Sequence, residues 1–275
     1  MTQTMTFRPF GAEHLDAALR LSRAAGWPHR REDWALIAGL SKGVVALDGD
    51  SVVATALTTA FGDAAMANMI IVDEAMRGRG LGREIMQRAL ALAEPLEWRL
   101  VATASGLPLY QKLGFVECGR VHQHQAALPA LTAPRGVRAA TAADLPTLIA
   151  MDRAATGADR AALLAQLAGS GQIALAEGKG FAMLRDFGRG QLAGPVVARD
   201  EGVARDLLSH LLAGKAGQFM RVDTVQDSGS APGLSQWLVD IGLPQVDTGI
   251  AMRRGSLPPQ AGGFHRFALA AQALG

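Results

Sequence analysis

Three alternate glycines open an arginine-rich segment between an apolar strand and an amphipathic helix. The segment reads Arg77-Gly78-Arg79-Gly80-Leu81-Gly82-Arg83. N–H groups in the first turn of a helix have no intrahelical partner, and the helix dipole adds partial positive charge there. Small residues let a ligand approach that backbone, and the arginines add formal charge. The residue types and their spacing therefore predict an anion site of the kind that holds a phosphate.

Two other phosphate-binding motifs do not fit this segment. A dinucleotide fold needs G-x-G-x-x-G and an acidic residue after the next strand, whereas these glycines run G-x-G-x-G and no such acid follows. A triphosphate loop needs Gly-Lys-Ser/Thr, and none of the four lysines stands in that context. A glycine-rich turn that binds nothing stays open as the alternative.

The elements on either side must position this segment. In the first half, hydrophobic periodicity predicts strands Gly43–Leu47, Ser51–Ala60, Ala67–Val72 and Arg99–Thr103, with a helix over Leu81–Glu94. The second half repeats the order, with strands Gln172–Ala176, Phe181–Arg185, Leu192–Ala198 and Phe219–Val225 and a helix over Val203–Gly214. The two halves are thus expected to share one architecture.

A direct internal repeat supports this division. Phe7–Ala25 aligns with Val137–Ala155 without a gap and matches at six positions, although alanine-rich segments can match by chance. The stretch 129–136, which contains two prolines, is the expected linker. We therefore expect a first domain over 1–128 and a second over 137–275.

These residues resemble the GCN5-related N-acetyltransferase (GNAT) family. Arg77–Gly82 fits the family's pyrophosphate loop, Arg/Gln-x-x-Gly-x-Gly/Ala, and Leu109–Phe115 is similar to its Leu-Tyr-x-Lys-x-Gly-Phe segment at the usual distance. The resemblance implies acetyl-CoA as cosubstrate, with the strand end pairing to the pantetheine arm and the acetyl carbonyl and the loop amides holding the pyrophosphate. The cofactor-binding residues that it implies are Ile70, Ile71, Val72, Arg77, Gly78, Arg79, Gly80, Leu81, Gly82 and Arg83.

Tyr110 is the only tyrosine of the chain and matches the family position that protonates the leaving CoA thiolate. A phenol with a pKa near 10 stays protonated at neutral pH and can donate. The resemblance therefore implies that Tyr110 is the catalytic acid. The alternative is a core tyrosine whose hydroxyl is satisfied elsewhere.

The general base is not identified by the sequence. Amide formation needs a neutral amine, so a base or an ordered water must take a proton from it. The strand Ala67–Val72, where many relatives carry an acid, offers none. Four titratable side chains stay open as the base: Asp63, Glu117, His122 and His124.

The acceptor site is expected in the segment from Ala25 to Trp34, where the family places one wall of that site. The candidate substrate contacts are Trp27, His29 and His124. Each has a structural alternative as a packed side chain. His122 and His124 lie two residues apart without a third ligand at a suitable spacing, so no metal site is expected.

The second half departs from the loop pattern. Its equivalent, Arg199-Asp200-Glu201-Gly202-Val203-Ala204, places two carboxylates where Gly78 and Arg79 stand in the first copy. Leu238 takes the place of Tyr110 when Gly242 is aligned with Gly114. The segment Leu192–Ala198 and a last strand near Phe264–Leu269 resemble the carboxy-terminal domain of a bacterial tandem subgroup of the family. We therefore expect a degenerate domain that completes the acceptor pocket or stabilises a homodimer.

Composition limits the other functions. The chain has 275 residues, 49% of them hydrophobic and 19% charged, with a net charge of +2, which fits folded domains and gives no nucleic-acid signature. Cys118 is the only cysteine, so no intrachain disulfide is possible and a reducing, cytoplasmic setting is expected. No run of about 18 apolar residues predicts a membrane span.

The sequence thus predicts an α/β protein of two tandem GNAT-like domains, each a mixed, mostly antiparallel sheet flanked by helices. The predicted reaction is acetyl transfer from acetyl-CoA to a primary amine by direct attack. Cys118 has no base placed beside it by any motif, which disfavours an acyl-enzyme. A small-molecule amine is the favoured acceptor, and an aminoglycoside-like amine or a peptide N-terminus stays open. The alternatives are a non-catalytic acyl-CoA sensor and a structural or interaction module.

Overall fold

The computed structural model describes residues 5–227, 233–258 and 262–275. The first half of the chain contains six strands: β1 (Thr6–Pro9), β2 (Lys42–Asp48), β3 (Ser51–Phe61), β4 (Ala64–Val72), β5 (Glu97–Ala102) and β6 (Val116–Ala127). Its helices are α1 (Leu15–Ala24), α2 (Arg31–Gly39), α3 (Leu81–Leu90) and α4 (Leu107–Lys112). Helix α3 ends at Leu90, four residues before the predicted Glu94, and Pro95 disfavours helical backbone at Glu94 itself.

The second half follows the same order. Its strands are β7 (Arg138–Ala139), β8 (Gln172–Ala176), β9 (Gly180–Phe187), β10 (Gly190–Ala198), β11 (Phe219–Asp227), β12 (Gln245–Gly255) and an additional β13 (His265–Ala268). Its helices are α5 (Leu145–Thr156), α6 (Ala161–Ser170), α7 (Glu201–Leu212) and α8 (Gly233–Asp240). Short 3₁₀ helices at Ala12–His14 and Ala142–Asp144 precede α1 and α5 in the register that the internal repeat predicts.

Within the described residues, thirteen strands form one continuous sheet in the order β1-β2-β3-β4-β5-β12-β6-β11-β13-β10-β9-β8-β7. The strand pairs are antiparallel except β4–β5 and β10–β11. Strand β12 of the second half lies between β5 and β6 of the first, and β6 pairs in turn with β11. The predicted mixed, mostly antiparallel sheets are therefore present, but they merge by exchanging strands.

The two parallel pairs differ in a way that matters for ligand binding. Strands β4 and β5 pair only as far as Met66, opposite Arg99, and then separate. The corresponding gap between β10 and β11 is filled by β13, which pairs with β10 at Val196 and with β11 at Thr224. The sheet is open for a ligand in the first half and closed in the second.

Helices cover both faces of the sheet. On β2, Val45 and Leu47 pack into one core with α1, α2, α5 and α6, whereas the alternate residues Val44 and Ala46 face α3. A further core lies under α7 and α8 in the second half. The first of these cores includes residues of both halves, so it binds the two halves together.

Buried polar contacts also join the halves. Asp33 on α2 is 2% exposed and accepts hydrogen bonds from Arg30 and from the backbone N–H of Gly188 in the β9–β10 turn. Arg185 on β9 lies 3.5 Å from the same carboxylate. Burial alone would raise the pKa of Asp33, but the bonds from Arg30 and Gly188 hold it below its usual range.

Among the described helices, none is long and apolar enough to cross a membrane.

Candidate active site

The glycine-rich loop places free N–H groups at the start of α3. Gly78 and Gly80 have φ of 76° and 80°, a left-handed conformation that favours glycine, and Gly80 caps the helix without a side chain. The first backbone bonds of α3 run from Arg83 and Glu84 to the Gly80 carbonyl. The N–H groups of Leu81 and Gly82 precede these bonds, so they are available to an anion.

The strand that leads to this loop contains a bulge. Met69 has a φ of 47°, and the register of β4 against β3 shifts between Asn68 and Ile71. Thr55 Oγ1 donates to the Met69 carbonyl at 2.7 Å and fixes the distorted backbone. Because β5 no longer pairs with this part of β4, the backbone from Ile70 to Val72 borders an open gap.

A groove of about 380 Å³ joins the open strand end to the loop. The predicted cofactor-binding residues that line it are Ile70, Ile71, Val72, Arg77, Gly78, Gly80, Leu81 and Gly82. Arg79 and Arg83 do not line the groove, but both are exposed beside the loop. The structure thus brings most of the predicted set into one cavity.

Tyr110 on α4 lies at the inner end of this groove. It is 7% exposed, and burial raises its pKa to about 12. The ring lies so close to Gly106 that a Cβ there would be 2.9 Å from a ring carbon, so only glycine fits without a shift. The phenol is therefore held in place and keeps its proton over the whole neutral and moderately alkaline range.

A second cavity of about 230 Å³ meets the groove at four residues that line both: Trp27, Ile70, Thr103 and Tyr110. The cavity lies between the two halves of the chain, and its walls come from β4, β6, the segment before α2, the β9–β10 turn, β11, β12 and residues 271–273. A molecule in this cavity and a molecule in the groove would therefore meet beside Ile70 and Tyr110.

Trp27 and His29 line the second cavity, where the sequence places the acceptor. The Nδ1 atom of His29 lies 3.1 Å from Ser22 Oγ, and its ring packs edge-on against Phe187. Burial lowers the pKa of His29 to about 4; the carboxylate of Asp33 opposes the shift, and the positive charges of Arg221 and Arg185 add to it. His29 is therefore neutral at pH 7.

The structure corrects the prediction for His124. Its side chain is fully buried, with Nδ1 bonded to the Leu243 carbonyl at 3.0 Å and Nε2 to Ser235 Oγ at 2.7 Å. Both partners belong to the side of the sheet that carries α8, away from the second cavity. His124 is a core residue with both ring nitrogens satisfied, and we drop it from the candidate acceptor site.

The other candidate bases also lie elsewhere. His122 bonds Gln226 at 2.7 Å, and Glu117 pairs with Arg120 at 3.0 Å. Asp63 is in the β3–β4 turn, and none of these side chains lines the second cavity. The titratable acceptors of a proton that do line it are His29 and Asp247.

Polar residues that the sequence reasoning missed complete this cavity. From the first half they are Asn68, Thr103, Gln123 and Gln125, and from the second half Arg189, Arg221, Asp247 and Gln272. Asn68 offered a signal, as the one polar side chain in the apolar strand β4. The second-half residues offered none, because their position depends on strand exchange.

Cys118 lies in a different cavity, lined by Arg99, Glu117 and Arg253 among others. Burial raises the pKa of its thiol. A thiol that keeps its proton and lies away from Tyr110 is poorly placed for acyl transfer. In the described part of the chain, no group of three or more His, Cys, Asp or Glu side chains could hold a metal.

The second loop carries its carboxylates at a helix start, but Asp200 takes the N-cap place that Gly80 holds in the first copy, not that of Gly78 as the sequence alignment predicts. The Asp200 side chain caps α7 by accepting the N–H of Val203 at 2.9 Å, so this helix start already has an anion of its own. Leu238 is fully buried, and the N–H of Leu243 bonds its carbonyl as Phe115 does that of Tyr110. The aligned position thus carries an apolar side chain and no acid.

Comparison with known proteins finds similarity to acetyltransferases in both halves of the chain. Two sequence models, each described as an acetyltransferase (GNAT) domain, match residues 40–117 and 148–263. The N-acetyltransferase YitH of Bacillus subtilis (strain 168), described as uncharacterized, is 32% identical over 279 residues, which cover 96% of this chain and 96% of YitH.

Solved structures share the fold over the whole chain. A protein from Pyrococcus horikoshii, described as a candidate acetyltransferase, superposes with a TM-score of 0.83 at 22% identity and covers 100% of this chain and 97% of its own. A tandem GNAT protein from the clavulanic acid biosynthesis pathway has a TM-score of 0.63 at 13% identity, with 93% and 99% covered. At these identities the likeness establishes the tandem fold alone.

Proposed function

Because this chain belongs to the GCN5-related N-acetyltransferase family, we propose that it moves an acetyl group from acetyl-CoA to the amine of a small molecule. The observation that carries the proposal is the meeting of two cavities at Tyr110 and Ile70. One cavity runs to the glycine-rich loop and the other opens between the domains. Two substrates entering from opposite sides would meet beside the only tyrosine of the chain.

The fit of acetyl-CoA rests on the donors that the chain leaves free. The N–H groups of Leu81 and Gly82, next to Arg77, would hold the pyrophosphate by hydrogen bonds and charge. The unpaired edge of β4 from Ile70 to Val72 would bind the pantetheine arm as an added strand would. At the start of α7 the Asp200 carboxylate already caps the helix, so a pyrophosphate would meet a fixed negative charge there.

The reaction needs a donor for the developing charge and an acid for the leaving group. Backbone N–H groups at the bulge of β4 would stabilise negative charge on the carbonyl oxygen as the amine nitrogen bonds to the acetyl carbon. The carbon–sulfur bond then breaks, and the Tyr110 hydroxyl gives its proton to the CoA thiolate. The amine loses one proton, and Tyr110 regains its own from solvent.

We propose that the amine attacks the acetyl group of acetyl-CoA directly, with no covalent enzyme intermediate. Cys118 lines another cavity and has a raised pKa. His29, with a pKa of about 4, is too weak a base to hold the proton of an alkylammonium at neutral pH. The proton of the amine would therefore leave through ordered water in the second cavity to solvent.

The test is acceptor-dependent release of CoA thiol. Purified protein is mixed with acetyl-CoA and a broad panel of primary amines, and free thiol and acetylated product are both measured. We expect at least one small amine to raise thiol release well above the rate with water alone. Binding of acetyl-CoA with no amine-dependent release would contradict the proposal and favour the acyl-CoA sensor.

A further inference from the structure

We propose that the acceptor is a small amino-carboxylate: Asn68 receives its amine, and Arg221 and Arg189 bind its carboxylate. Both arginines come from the second half of the chain and line the same cavity as Asn68. The inference rests on the proposed function and narrows its substrate to one chemical class. It also gives the degenerate domain a role in choosing the acceptor.

Hydrogen bonds fix which side of the Asn68 amide is free. Its Nδ2 donates to Thr59 Oγ1 at 2.8 Å and, at a longer 3.4 Å, to the Met66 carbonyl. A carbonyl only accepts, so the amide nitrogen must be on that side. Thr59 Oγ1 lies 2.6 Å from Ser41 Oγ, which donates to the Ile37 carbonyl at 2.6 Å, so Thr59 donates onward to Ser41.

This chain of bonds leaves Asn68 Oδ1 without a partner. The residue is 4% exposed, and among the described residues nothing donates to this buried oxygen. An unpaired buried acceptor is unfavourable, so a donor brought by a ligand stabilises the site. Asn68 directly precedes the bulge at Met69, so an amine N–H bonded to Oδ1 would lie beside the acetyl position.

Arg221 has hydrogen-bonding capacity left for an anion. Its Nε and Nη2 donate to the Asp223 carboxylate at 2.9–3.1 Å, while its Nη1 makes no hydrogen bond to a described residue. Arg189, on the β9–β10 turn, is exposed and forms no ion pair with any described side chain. A planar carboxylate matches such guanidinium donors in both charge and shape.

The electrostatic environment of the cavity also favours an anionic group. The charges of Arg221 and Arg185 add to burial in lowering the pKa of His29, against the opposing charge of Asp33. The lining carboxylate, Asp247, is exposed and accepts the Thr248 N–H at 2.8 Å. The Asp223 carboxylate pairs with Nε and Nη2 of Arg221, so a carboxylate on the acceptor would bind at the free Nη1 and at Arg189.

The cavity also limits the size of the acceptor. Its volume of about 230 Å³ lies below the roughly 300–1,000 Å³ of sites for drug-sized ligands. The reacting end of the acceptor is therefore the size of a single amino acid. A long peptide or an oligosaccharide would have to leave most of its surface outside.

The test compares amino acids with their carboxamides, which keep the amine and the size but lack the negative charge. A panel of α-, β- and γ-amino acids and the matching carboxamides is measured by thiol release at saturating acetyl-CoA. We expect at least one amino acid to have a kcat/KM about tenfold or more above that of its carboxamide, because a charge-assisted hydrogen bond contributes an effect of this size.

Three variants and one control assign the effect. Arg189→Gln, at an exposed site, is expected to lower kcat/KM for the amino acid about tenfold and to leave the carboxamide unchanged, and Arg221→Lys to do the same. Asn68→Leu lowers kcat/KM for both acceptors, because both present the amine. The matched control is Arg205→Gln, which breaks the ion pair of Arg205 with Glu201 on the surface of α7. We expect it to leave kcat/KM unchanged for both acceptors.

The outcomes separate this inference from the proposed function. If carboxamides are acetylated as fast as the matching amino acids, the amino-carboxylate assignment is overturned and the proposed acetyltransferase function stands. Acetyl-CoA binding without thiol release from either class would overturn both. Equal loss for both acceptors in Arg189→Gln would also contradict a carboxylate contact.

Discussion

At the scale of single residues, a variant at Tyr110 tests the proposed catalytic role of its hydroxyl separately from the binding of acetyl-CoA. Tyr110→Phe removes the hydroxyl from a ring that is already fixed against Gly106 and Phe115. Because general-acid catalysis contributes about 10²–10⁴-fold, we expect turnover to fall at least about 100-fold with acetyl-CoA affinity unchanged. Turnover by thiol release and affinity by calorimetry are the two measurements, and wild-type turnover in the variant would remove the acid role.

His29 predicts a pH dependence of stability. Its pKa is about 4 in the folded protein and near 6.5 when unfolded, so above pH 6.5 it is neutral in both states. As the pH falls from 6.5 to 4, the unfolded state takes up a proton that the folded state does not, and stability is lost.

The matching variant is His29→Gln. Urea unfolding between pH 7 and pH 4 is expected to show a smaller loss of stability in the variant than in the wild type, by on the order of 2–3 kcal/mol at pH 4. Other titrating groups act equally in both proteins. Parallel curves for the two proteins would mean that folded His29 takes up its proton near pH 6.5 after all.

At the scale of elements, β13 is the reason why we expect no equivalent ligand site in the second half. The strand occupies the gap that its counterpart leaves open between β4 and β5. We therefore expect the double change Asp200→Gly and Glu201→Arg, which removes both carboxylates and introduces the residue types of Gly78 and Arg79, to leave the number of acetyl-CoA sites per chain unchanged. The readout is calorimetric stoichiometry, and a second site would show that the loop charge alone was the barrier.

Locally determined features were predictable from sequence, and these include most of the residues that line the groove. The loop from Arg77 to Gly82 and the position of Tyr110 depend on contiguous residues, so the groove could be placed in advance. Strand β6 was different, because its residues from His122 to Gln125 alternate between two polar types. Periodicity cannot say which polar face of such a strand meets a cavity, and this ambiguity produced the error at His124.

At the scale of the whole molecule, the exchange of strands makes the two halves one structure. Strand β12 lies between β5 and β6, and Arg221 on β11 reaches the first-half cavity through the pairing of β11 with β6. Sequence reasoning that treats the halves as separate sheets cannot place Arg221 or Asp247 near Tyr110. The second cavity is therefore a property of the assembled chain.

The polar contact between the halves gives a prediction at this scale. Asp33→Ala leaves Arg185 and the Gly188 N–H without their buried partner, and we expect a loss of about 3 kcal/mol in a single unfolding transition. Asp16→Ala, which breaks the exposed pair with Arg31, is the matched control and should cost under about 1 kcal/mol. Denaturant unfolding measures both, and equal effects, or two separate transitions in the wild type, would contradict this picture.

The central claim is one acetyl-CoA site per chain, at the loop that begins α3. Its most direct test is calorimetric titration of the wild type, Gly80→Leu and Gly214→Leu with acetyl-CoA. Gly80 and Gly214 share a left-handed backbone and open space around the missing side chain, so the second variant controls for strain. We predict one site in the wild type and in Gly214→Leu and none in Gly80→Leu; two sites, no binding, or binding that survives at Gly80→Leu would contradict the account.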